Sequence, residues 1–322
     1  MDIVKGKLSV IIPFCNEHPQ AAFTIQNIFC ELRDFCDFEI IAINNWCNEV
    51  ATQGRAEDKG GEYLQSLATP QRPWLKVFNY DKKLSHWQAK NLGVQNSTGE
   101  FLWFCDAHCI VSRNALQRML GYFTANHEAL NGTLHLPLSY MLEKPGLELI
   151  YKLVTDMDKA VVHYSFTRYR QSNVVYQVPC MSTCGMMMTR ELYDLLGGWP
   201  EELGIYGGGE HFINFTLAVL GKTINIWPDY PLFHYAAKRG YSWNYDDYHR
   251  NRCIATFMYG GFEMGRKYIM NIKGRPQVLE RMYYDIATKK SIQEQEEALR
   301  KKEVIPISEW VNKNTQGGES DG

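Results

Sequence analysis

Short apolar runs alternate with amphipathic stretches along the first third of the chain. Four runs rich in β-branched and aromatic residues have the length of buried strands in a parallel sheet: Leu8 to Phe14, Phe38 to Ile43, Leu75 to Asn79 and Phe101 to Cys105. Apolar residues recur at helical spacing from Gln20 to Phe35. A second helix is predicted from His86 to Asn96, where a Ser-Thr-Gly turn ends it.

Strands that alternate with helices predict an α/β fold with a doubly wound, mainly parallel sheet flanked by helices. The middle of the chain is less regular. Its pattern predicts a helix from about Pro145 to Asp158, a polar stretch from Tyr164 to Ser172 and an apolar segment from Val174 to Val178. From about Tyr245 onward, the pattern predicts a long helical extension.

The length of the chain allows one large domain with a smaller appendage. Its 322 residues slightly exceed the roughly 250–300 residues at which single cores stop growing. We expect a main domain over residues 1–244, with halves at about 1–110 and 111–244, and a helical C-terminal extension over 245–314. Residues 315–322 are rich in glycine, serine and acidic residues, which predicts a disordered tail.

Composition and charge narrow the class of protein. Apolar residues make up 45% and charged residues 22% of the chain, the balance of an ordinary globular protein. With a formal net charge of −2, the molecule as a whole does not attract nucleic acid, and only a local basic patch could bind it. Because no run approaches the roughly 18 apolar residues of a membrane span and the N-terminus lacks a signal-peptide pattern, we expect a cytoplasmic protein without a membrane partner.

The nine cysteines are scattered and lie mostly in apolar segments. This pattern favours reduced thiols over a disulfide framework. Cys105 and Cys109 are four residues apart, as are Cys180 and Cys184, so a zinc site is an alternative. Because the sequence has no CxxC pair and no clustered histidines, buried packing is the favoured interpretation.

Polar residues follow three of the predicted strands at the point where each strand ends. The three groups are Pro13-Phe14-Cys15-Asn16-Glu17, Asn44-Asn45-Trp46 and Asp106-Ala107-His108. Each group by itself is equally a loop that caps the next helix. In an open parallel sheet, however, ligands bind at the carboxyl ends of the strands, so three groups at the same edge predict a ligand site.

The triplet Asp106-Ala107-His108 is the sharpest local signal for chemistry. A carboxylate and an imidazole two residues apart, at the end of a buried strand, can converge on one divalent cation that bridges two phosphates of a bound donor. A mixed oxygen and nitrogen ligand set suits Mn²⁺ better than Mg²⁺, which prefers oxygen ligands and water. The sequence therefore predicts Mn²⁺, with Mg²⁺ as the alternative.

Several segments resemble the GT-A fold glycosyltransferases, in particular the family 2 type enzymes and the polypeptide N-acetylgalactosaminyltransferases. SVIIPFCNE is similar to their first strand and nucleoside loop, and AKNLGVQNSTGEFLWFCDAH to their helix, turn and metal-binding strand. LLGGWPEELGIYGGGEHFINF is similar to the acceptor-side block, and IWPDYPLFHYAAKRGYSW to the segment with a metal-binding histidine and a donor-covering loop. The resemblance extends over roughly Lys7 to Trp243. It implies metal-dependent transfer of a sugar from a nucleotide-sugar, with UDP-sugars as the expected donors, to a hydroxyl group.

The resemblance implies that Asp106, His108 and His234 bind the metal ion. It further implies that Glu210 and His211 are catalytic; an acid at the first position is the general base in inverting relatives and positions substrate in retaining relatives. Family 2 enzymes usually have an acidic pair where this chain has Glu210-His211, so the stereochemistry stays open. Apart from the resemblance, Glu210 is equally a helix first-turn carboxylate, and His234 a buried core histidine.

The resemblance also implies residues that bind the two substrates. On the donor side these are Pro13, Phe14, Asn16, Glu17, Asn44, Asn45, Lys90, Asn91, Asp106, Lys238, Arg239 and Tyr241. On the acceptor or sugar side these are Gly185, Trp199, Gly208, Gly209 and Trp243. Asn44 and Asn45 stand where the family commonly has acidic residues that contact uracil and ribose, and Lys90 where arginine is frequent. The segment from Lys238 to Trp243 would be a lid over the donor or, alternatively, an exposed loop.

The acceptor and the class of protein have alternatives. The acceptor hydroxyl would belong to a protein, a small molecule or a hydroxymethylated pyrimidine base in DNA, as in phage genomes. For DNA, basic and aromatic residues between His249 and Arg281 would line a backbone groove, whereas an amphipathic helix packed on the main domain explains them equally. A nucleotidyltransferase would need a Gly-rich basic loop after the first strand, which Pro13 to Glu17 lacks. An inactive sugar-binding protein is the third class, and the intact candidate site argues against it.

Overall fold

The computed structural model describes residues 2–53, 57–140, 148–228, 230–235, 241–274 and 276–316. Its strands are β1 (Val4–Phe14), β2 (Phe38–Asn44), β3 (Leu75–Asn79), β4 (Gly99–Phe104), β5 (Cys109–Ile110), β6 (Gly132–His135), β7 (Leu138–Ser139), β8 (Leu149–Asp156), β9 (Val161–Arg168), β10 (Tyr176–Val178), β11 (Met186–Thr189), β12 (Thr223–Ile226) and β13 (Leu232–His234). Its α-helices are α1 (Gln20–Leu32), α2 (Asn48–Ala51), α3 (Lys59–Leu67), α4 (His86–Gln95), α5 (Ala115–Leu130), α6 (Arg190–Leu196), α7 (Gly209–Val219), α8 (Tyr245–Met270), α9 (Pro276–Ala287), α10 (Lys290–Arg300) and α11 (Ile307–Gln316).

The larger sheet has eight strands in the order β10-β12-β6-β11-β4-β1-β2-β3. β1 pairs in parallel with β2 and β4, and β2 pairs in parallel with β3. β11 runs antiparallel between β4 and β6, and β10 runs antiparallel to β12 at the sheet edge. The four predicted strands and the mainly parallel sheet are therefore confirmed. β2, β4 and the second half of β1 are largely buried, as expected inside such a sheet, whereas β3 is half-buried at the sheet edge.

Helices flank this sheet and bring their starts to its carboxyl edge. α4 packs on β1 and β2, and it approaches closely because Gly93 has no side chain: a Cβ there would lie 2.6 Å from Ile11 Cγ2. The hydroxyl of Ser85 caps α4 by accepting a hydrogen bond from the backbone N–H of Gln88. α4 is thereby fixed over the sheet, with its first turns beside the polar strand ends.

A second sheet of five strands has the order β5-β13-β7-β8-β9. The helix predicted from about Pro145 to Asp158 is wrong where the structure describes it, because residues 149–156 form β8, which pairs antiparallel with β9. Side chains of β8 pair with those of β9. Tyr151 lies opposite Phe166, and the ring of Tyr151 stacks on the ring of Tyr164 with centroids 4.5 Å apart. Cross-strand aromatic pairing of this kind outweighs a local apolar spacing that suits a helix equally well. Residues 145–147 lie outside the described part of the chain.

The predicted C-terminal helical extension is present as α8 to α11. α8 buries Cys253, Ile254 and Phe257 and packs on α7. Within its basic stretch, Arg250 pairs with Glu202, and the buried guanidinium of Arg252 lies over aromatic rings. These two cations are therefore engaged within the fold instead of forming an open basic face.

α11 is the last helix in the described part of the chain. α11 continues through Gln316, two residues into the segment expected to be disordered, and residues 317–322 lie outside the described part. Within the described residues, every helix is too short or too polar to traverse a lipid bilayer.

Candidate active site

A cleft of about 760 Å³ lies at the carboxyl ends of β1, β2 and β4. Polar residues that follow these strands line one side of it, and side chains of β8 and β9 line the other. The position matches the general rule for open parallel sheets, in which the loops after the strands form the ligand site. The residues of the cleft come from both sheets, so the site depends on how the two pack together.

Asp106, His108 and His234 meet in this cleft, with one ligand atom from each within 4.8 Å of the others. Nε2 of His234 lies 3.1 Å from Asp106 Oδ2 and 3.2 Å from His108 Nε2. The pairing of β13 with β5 brings His234 next to His108. In this pairing His234 lies opposite Cys109, and the backbone N–H of Tyr235 donates to the carbonyl of His108. One carboxylate and two imidazoles are a ligand set that suits Mn²⁺.

Glu17 holds His108 from behind this group. Its Oε1 lies 2.5 Å from Nδ1 of His108, so Nε2 of the same ring is directed to Asp106 and His234. Burial alone would lower the pKa of His108, but the hydrogen bond and charge of Glu17 raise it to about 9. A carboxylate on the second nitrogen of a metal-binding histidine fixes the ring and its tautomer. Glu17 therefore contacts His108, and the donor contact that the resemblance implies stays a prediction.

Charge around Asp106 favours its ionised form. Although burial opposes ionisation, the hydrogen bond from His234 and the charge of Lys90 hold the pKa of Asp106 well below its usual range. The pKa of His234 is raised because its hydrogen bond to Asp106 outweighs burial. The ring of His234 also makes an edge-to-face contact with Tyr140, with centroids 5.1 Å apart.

Lys90 is a buried cation that lines the cleft. Only 1% of the residue is exposed, and its Nζ lies 3.9 Å from Asp106 Oδ1 and 3.4 Å from Thr183 Oγ1. Its Nζ also lies 4.7 Å from the ring centroid of Trp87, a favourable cation–π distance. A buried ammonium group with one distant carboxylate and an aromatic neighbour is suited to hold an anionic ligand such as a diphosphate.

Glu210 is anchored through both carboxylate oxygens. Oε1 accepts hydrogen bonds from Ser182 Oγ at 3.0 Å and from the backbone N–H of Thr183 at 3.3 Å, and Oε2 accepts one from the Tyr164 hydroxyl. Burial raises the pKa of Glu210, and these hydrogen bonds offset part of that effect. The carboxylate lines the cleft, and three hydrogen bonds from the protein hold it in place.

His211, the second predicted catalytic residue, is 1% exposed and does not line the cleft. Its Nε2 lies 2.8 Å from Nδ1 of His163, and the two rings stack at 5.0 Å. Burial and the charge of Arg252 lower the pKa of both histidines, that of His163 to about 4. Nδ1 of His211 is buried without a partner among the described residues. The hydrogen bond between the two rings keeps His211 behind His163, and His163 lines the cleft.

The predicted donor-side residues divide into three groups. Those that line the cleft are Pro13, Phe14, Asn16, Glu17, Asn45, Lys90, Asp106 and Tyr241. Asn44 and Asn91 are not among the lining residues: the amide of Asn44 donates to Asp58, and that of Asn91 donates to the carbonyl of Trp199. Lys238 and Arg239, predicted to form a lid, lie outside the described residues.

Among the predicted acceptor-side residues, Gly208 lines the cleft. Gly209 lies directly behind it, where a Cβ would be 2.2 Å from the ring of Trp87. Trp199 is buried and donates from Nε1 to the carbonyl of Gly209, and Gly185 has a φ of +80° beside Leu232. Trp243 packs on Tyr206, with ring centroids 4.3 Å apart, and Tyr206 in turn lines the cleft. These residues support the wall of the cleft from behind.

Sequence reasoning missed the aromatic wall of the cleft. Tyr151 lies in the segment predicted to be a helix, Tyr164 and Phe166 lie in the predicted polar stretch, and Tyr140 and His163 lie in segments without an assignment. The alternation of large aromatic residues with smaller ones from Leu149 to Arg168 was the available signal for a hairpin. It was weak because the residues that join β8 to β9, Met157 to Ala160, include neither glycine nor proline, and the turn there depends on a positive φ of +53° at Ala160.

The fold and the polar edge of the sheet define a GT-A glycosyltransferase. A model of the family described as "Glycosyl transferase family 2" matches residues 9–197, which is more than half of the chain. The chain therefore belongs to glycosyl transferase family 2, and the resemblance noted in its sequence is confirmed.

Two kinds of relative agree with this membership. N-acetylgalactosaminyltransferase 6 of Drosophila melanogaster is 22% identical over 172 residues, which cover 50% of this chain and 25% of that protein. The chain thus spans about a quarter of the length of this curated relative. The crystal structure of GalNAc-T7 with UDP, GalNAc and Mn²⁺ is similar with a TM-score of 0.62 and 16% identity, over 89% of this chain and 56% of that one.

Two further structures share the fold over most of their length. TarS 1-349 of S. aureus in complex with UDP-GlcNAc has a TM-score of 0.52 and 13% identity, over 92% of this chain and 80% of that one. The mannosyltransferase PcManGT of Pyrobaculum calidifontis, in complex with GDP-Man and Mn²⁺, has a TM-score of 0.50 and 15% identity, over 96% and 79%. At these identities the likeness supports the fold, and the chemistry of this chain is argued from its own residues.

Proposed function

We propose that this protein is a metal-dependent glycosyltransferase that moves a sugar from a nucleotide-sugar to an acceptor hydroxyl. The observation that carries the proposal is the meeting of Asp106, His108 and His234 beside Lys90, at the carboxyl edge of the sheet. Such a group of one carboxylate, two imidazoles and a buried ammonium provides both ligands for a divalent cation and a charge for a diphosphate. We further propose that the catalytic unit ends near residue 244, where α8 begins.

The metal site is proposed to hold Mn²⁺, with Mg²⁺ as the alternative. Asp106 Oδ2, His108 Nε2 and His234 Nε2 would be its protein ligands, and Glu17 would keep the ring of His108 in place. When bound, the cation neutralises charge on the diphosphate and so makes the nucleotide a better leaving group. The similar structures of GalNAc-T7 and PcManGT are described with Mn²⁺, which supports this choice.

The donor is proposed to lie along the strand ends, with UDP-sugars as the first candidates. Lys90 would contact the diphosphate, and Asn16 and Asn45 lie at the part of the cleft where the nucleoside is expected. The side chain of Asn45 already bonds the backbone of residues 80, 83 and 85, so it shapes the wall there more than it offers free hydrogen bonds. UDP or UDP-GlcNAc in the structures of GalNAc-T7 and TarS supports UDP, and GDP-Man in PcManGT keeps GDP-sugars as a second candidate.

Glu210 is proposed to position the reacting groups. With three donors on its two oxygens, it is held in one orientation and is poorly placed to take a proton from an acceptor. Its hydrogen bonds instead fix Ser182 and Thr183, which lie beside Lys90 and the aromatic wall. This arrangement favours the positioning role that such an acid has in retaining relatives over that of a general base.

The acceptor is proposed to bind against the aromatic wall formed by β8 and β9. Tyr151, Tyr164 and Phe166 present aromatic surface, and His163 adds an imidazole ring. Such a surface suits a hydroxyl-bearing acceptor on a protein or a small molecule through stacking and a few directed hydrogen bonds. A hydroxymethylated base in DNA stays the alternative acceptor.

A donor screen tests the proposal. Purified protein with Mn²⁺ is incubated with UDP-, GDP- and other nucleotide-sugars, and the release of nucleoside diphosphate is measured with and without pooled acceptors. We expect release from one donor class that EDTA abolishes and that Asp106→Ala removes, whereas Asp34→Ala, at an exposed aspartate far from the cleft, retains it. Absence of turnover with every donor, or full activity of Asp106→Ala, would refute the proposed function.

A further inference from the structure

Three buried cysteines meet beneath the candidate metal ligands. Cys105 directly follows β4, Cys109 begins β5, and Cys184 lies in the loop before β11. Their sulfur atoms are all within 4.8 Å of one another, and Sγ of Cys109 is 3.5 Å from Sγ of Cys184. The exposed fractions of the three residues are 0%, 1% and 3%. The fourth cysteine of the two sequence pairs, Cys180, is buried but is not part of this group.

The sulfur separations fit one shared metal ion. Three sulfurs bound to Zn²⁺ at about 2.3 Å in tetrahedral geometry are about 3.8 Å apart. This value lies between the shortest separation of 3.5 Å and the upper limit of 4.8 Å. A disulfide between the closest pair would leave the third sulfur unused, whereas a metal ion would use all three.

The backbone holds the three cysteines in place independently of one another. The N–H of Cys105 donates to the carbonyl of Ile11, and the N–H of Cys109 donates to the hydroxyl of Thr24. Next to Cys184, the N–H of Gly185 donates to the carbonyl of Phe104. The site is therefore formed by the fold before any ion arrives, which reduces the cost of binding.

We propose that Cys105, Cys109 and Cys184 bind a soft d¹⁰ metal ion of the Zn²⁺ class. Thiolates select such ions over Mn²⁺ and Mg²⁺, so the thiolate site would leave Mn²⁺ to the neighbouring carboxylate–imidazole group. Each thiol loses its proton to solvent as its metal–sulfur bond forms. Cys184 lines the cleft, which provides the path of entry and room for a water molecule as fourth ligand.

The ion would connect the parts of the chain that form the active site. Cys105 precedes Asp106, Cys109 follows His108, and Cys184 follows Thr183, whose backbone N–H bonds Glu210. A bound ion would therefore stabilise the metal-binding strand end and the loop that holds Glu210 in a fixed relation. This inference goes beyond the proposed function and does not depend on it.

The test uses Cd²⁺ as a spectroscopic probe of thiolate ligands. Reduced, EDTA-treated protein in excess Mg²⁺ is titrated with Cd²⁺, and the ultraviolet charge-transfer band of cadmium–thiolate bonds is recorded. We expect saturation at one equivalent, loss of the band on addition of Zn²⁺, and loss of the band in Cys109→Ser and Cys184→Ser. Cys180→Ser and Cys253→Ser, at buried cysteines outside the group, should keep it, and so should Asp106→Ala.

Two outcomes would overturn the inference. One is the absence of a charge-transfer band in the unchanged protein, and the other is a band that Cys109→Ser and Cys184→Ser leave intact. If those variants fail to fold, native mass spectrometry of the variant Asp106→Ala/His234→Ala, which lacks two ligands of the other candidate metal site, decides: retention of one Zn²⁺ after buffer exchange supports the cysteine site, and its absence rejects it. Asp106→Ala separates the two hypotheses, because it would lose sugar transfer and keep the cadmium band.

Discussion

Replacement of Glu17 by alanine tests how the candidate metal site is organised. Glu17 is on the loop after β1, and its Oε1 lies 2.5 Å from Nδ1 of His108. Without this carboxylate the imidazole is free to rotate, and Nε2 no longer points reliably to Asp106 and His234. The backbone N–H of Cys15, which donates to the other oxygen of Glu17, would also lose its partner.

The expected magnitude follows from that hydrogen bond. A hydrogen bond to a charged group contributes about 1.5–3 kcal/mol, and about 1.4 kcal/mol changes an affinity tenfold. We therefore expect Glu17→Ala to weaken Mn²⁺ binding by about 10- to 100-fold, the range observed when second partners of metal-binding histidines are removed. Glu17→Gln retains an oxygen that can accept from Nδ1–H, so it should recover part of the affinity.

The affinity is measured by electron paramagnetic resonance, from the free Mn²⁺ that remains during titration in the presence of UDP. Glu62→Ala, at an exposed glutamate of α3, is the matched control and should bind as the unchanged protein does. Thermal unfolding of each variant shows whether the fold is kept. Equal Mn²⁺ affinities for Glu17→Ala and Glu62→Ala would refute the positioning role of Glu17.

Three further predictions concern charge, pH and backbone geometry. Lys90→Met keeps most of the buried volume but removes the charge, so the KM for the donor should rise by about tenfold or more. An unchanged KM would contradict a contact between Lys90 and the diphosphate. Hydrogen bonds from Lys76, Thr98 and Ser9 overcome burial and lower the pKa of Glu39 from 4.5 to about 2. Glu39→Gln should therefore lower the free energy of unfolding by about 3 kcal/mol at pH 7. In urea unfolding this difference should shrink as the pH falls from 4.5 to 2, and a full difference at pH 2 would contradict the prediction. Gly208→Ala should melt at a lower temperature than Gly6→Ala. Both glycines have a positive φ, but only at position 208 would the added Cβ lie close to a backbone oxygen, at 2.3 Å. Equal melting temperatures would show that this contact relaxes without cost.

Four of the eight strands of the larger sheet, β1 to β4, were accessible from sequence because they are largely apolar runs, whereas β6, β11 and β12 were not predicted as strands. β3 has the predicted bounds, and β2 differs by one residue. β8 and β9 were not accessible in the same way, since a strand with one solvated face and aromatic partners on a neighbouring strand has a pattern that a helix also satisfies. The missed hairpin contributes much of the aromatic wall of the cleft, including His163 and Tyr164.

The sequence alone determined the parallel sheet, its polar carboxyl edge and the pair Asp106 and His108, since these follow from local apolar runs and from residues two positions apart. Tertiary structure decided which distant side chains complete the site. Pairing of β5 with β13 places His234 beside His108, 126 residues away in sequence, and the loop before β11 places Cys184 against Cys105 and Cys109. The local sequence pattern indicates which face of a helix or strand is buried. Contacts between elements that are far apart in the chain form only when the two sheets pack on one core.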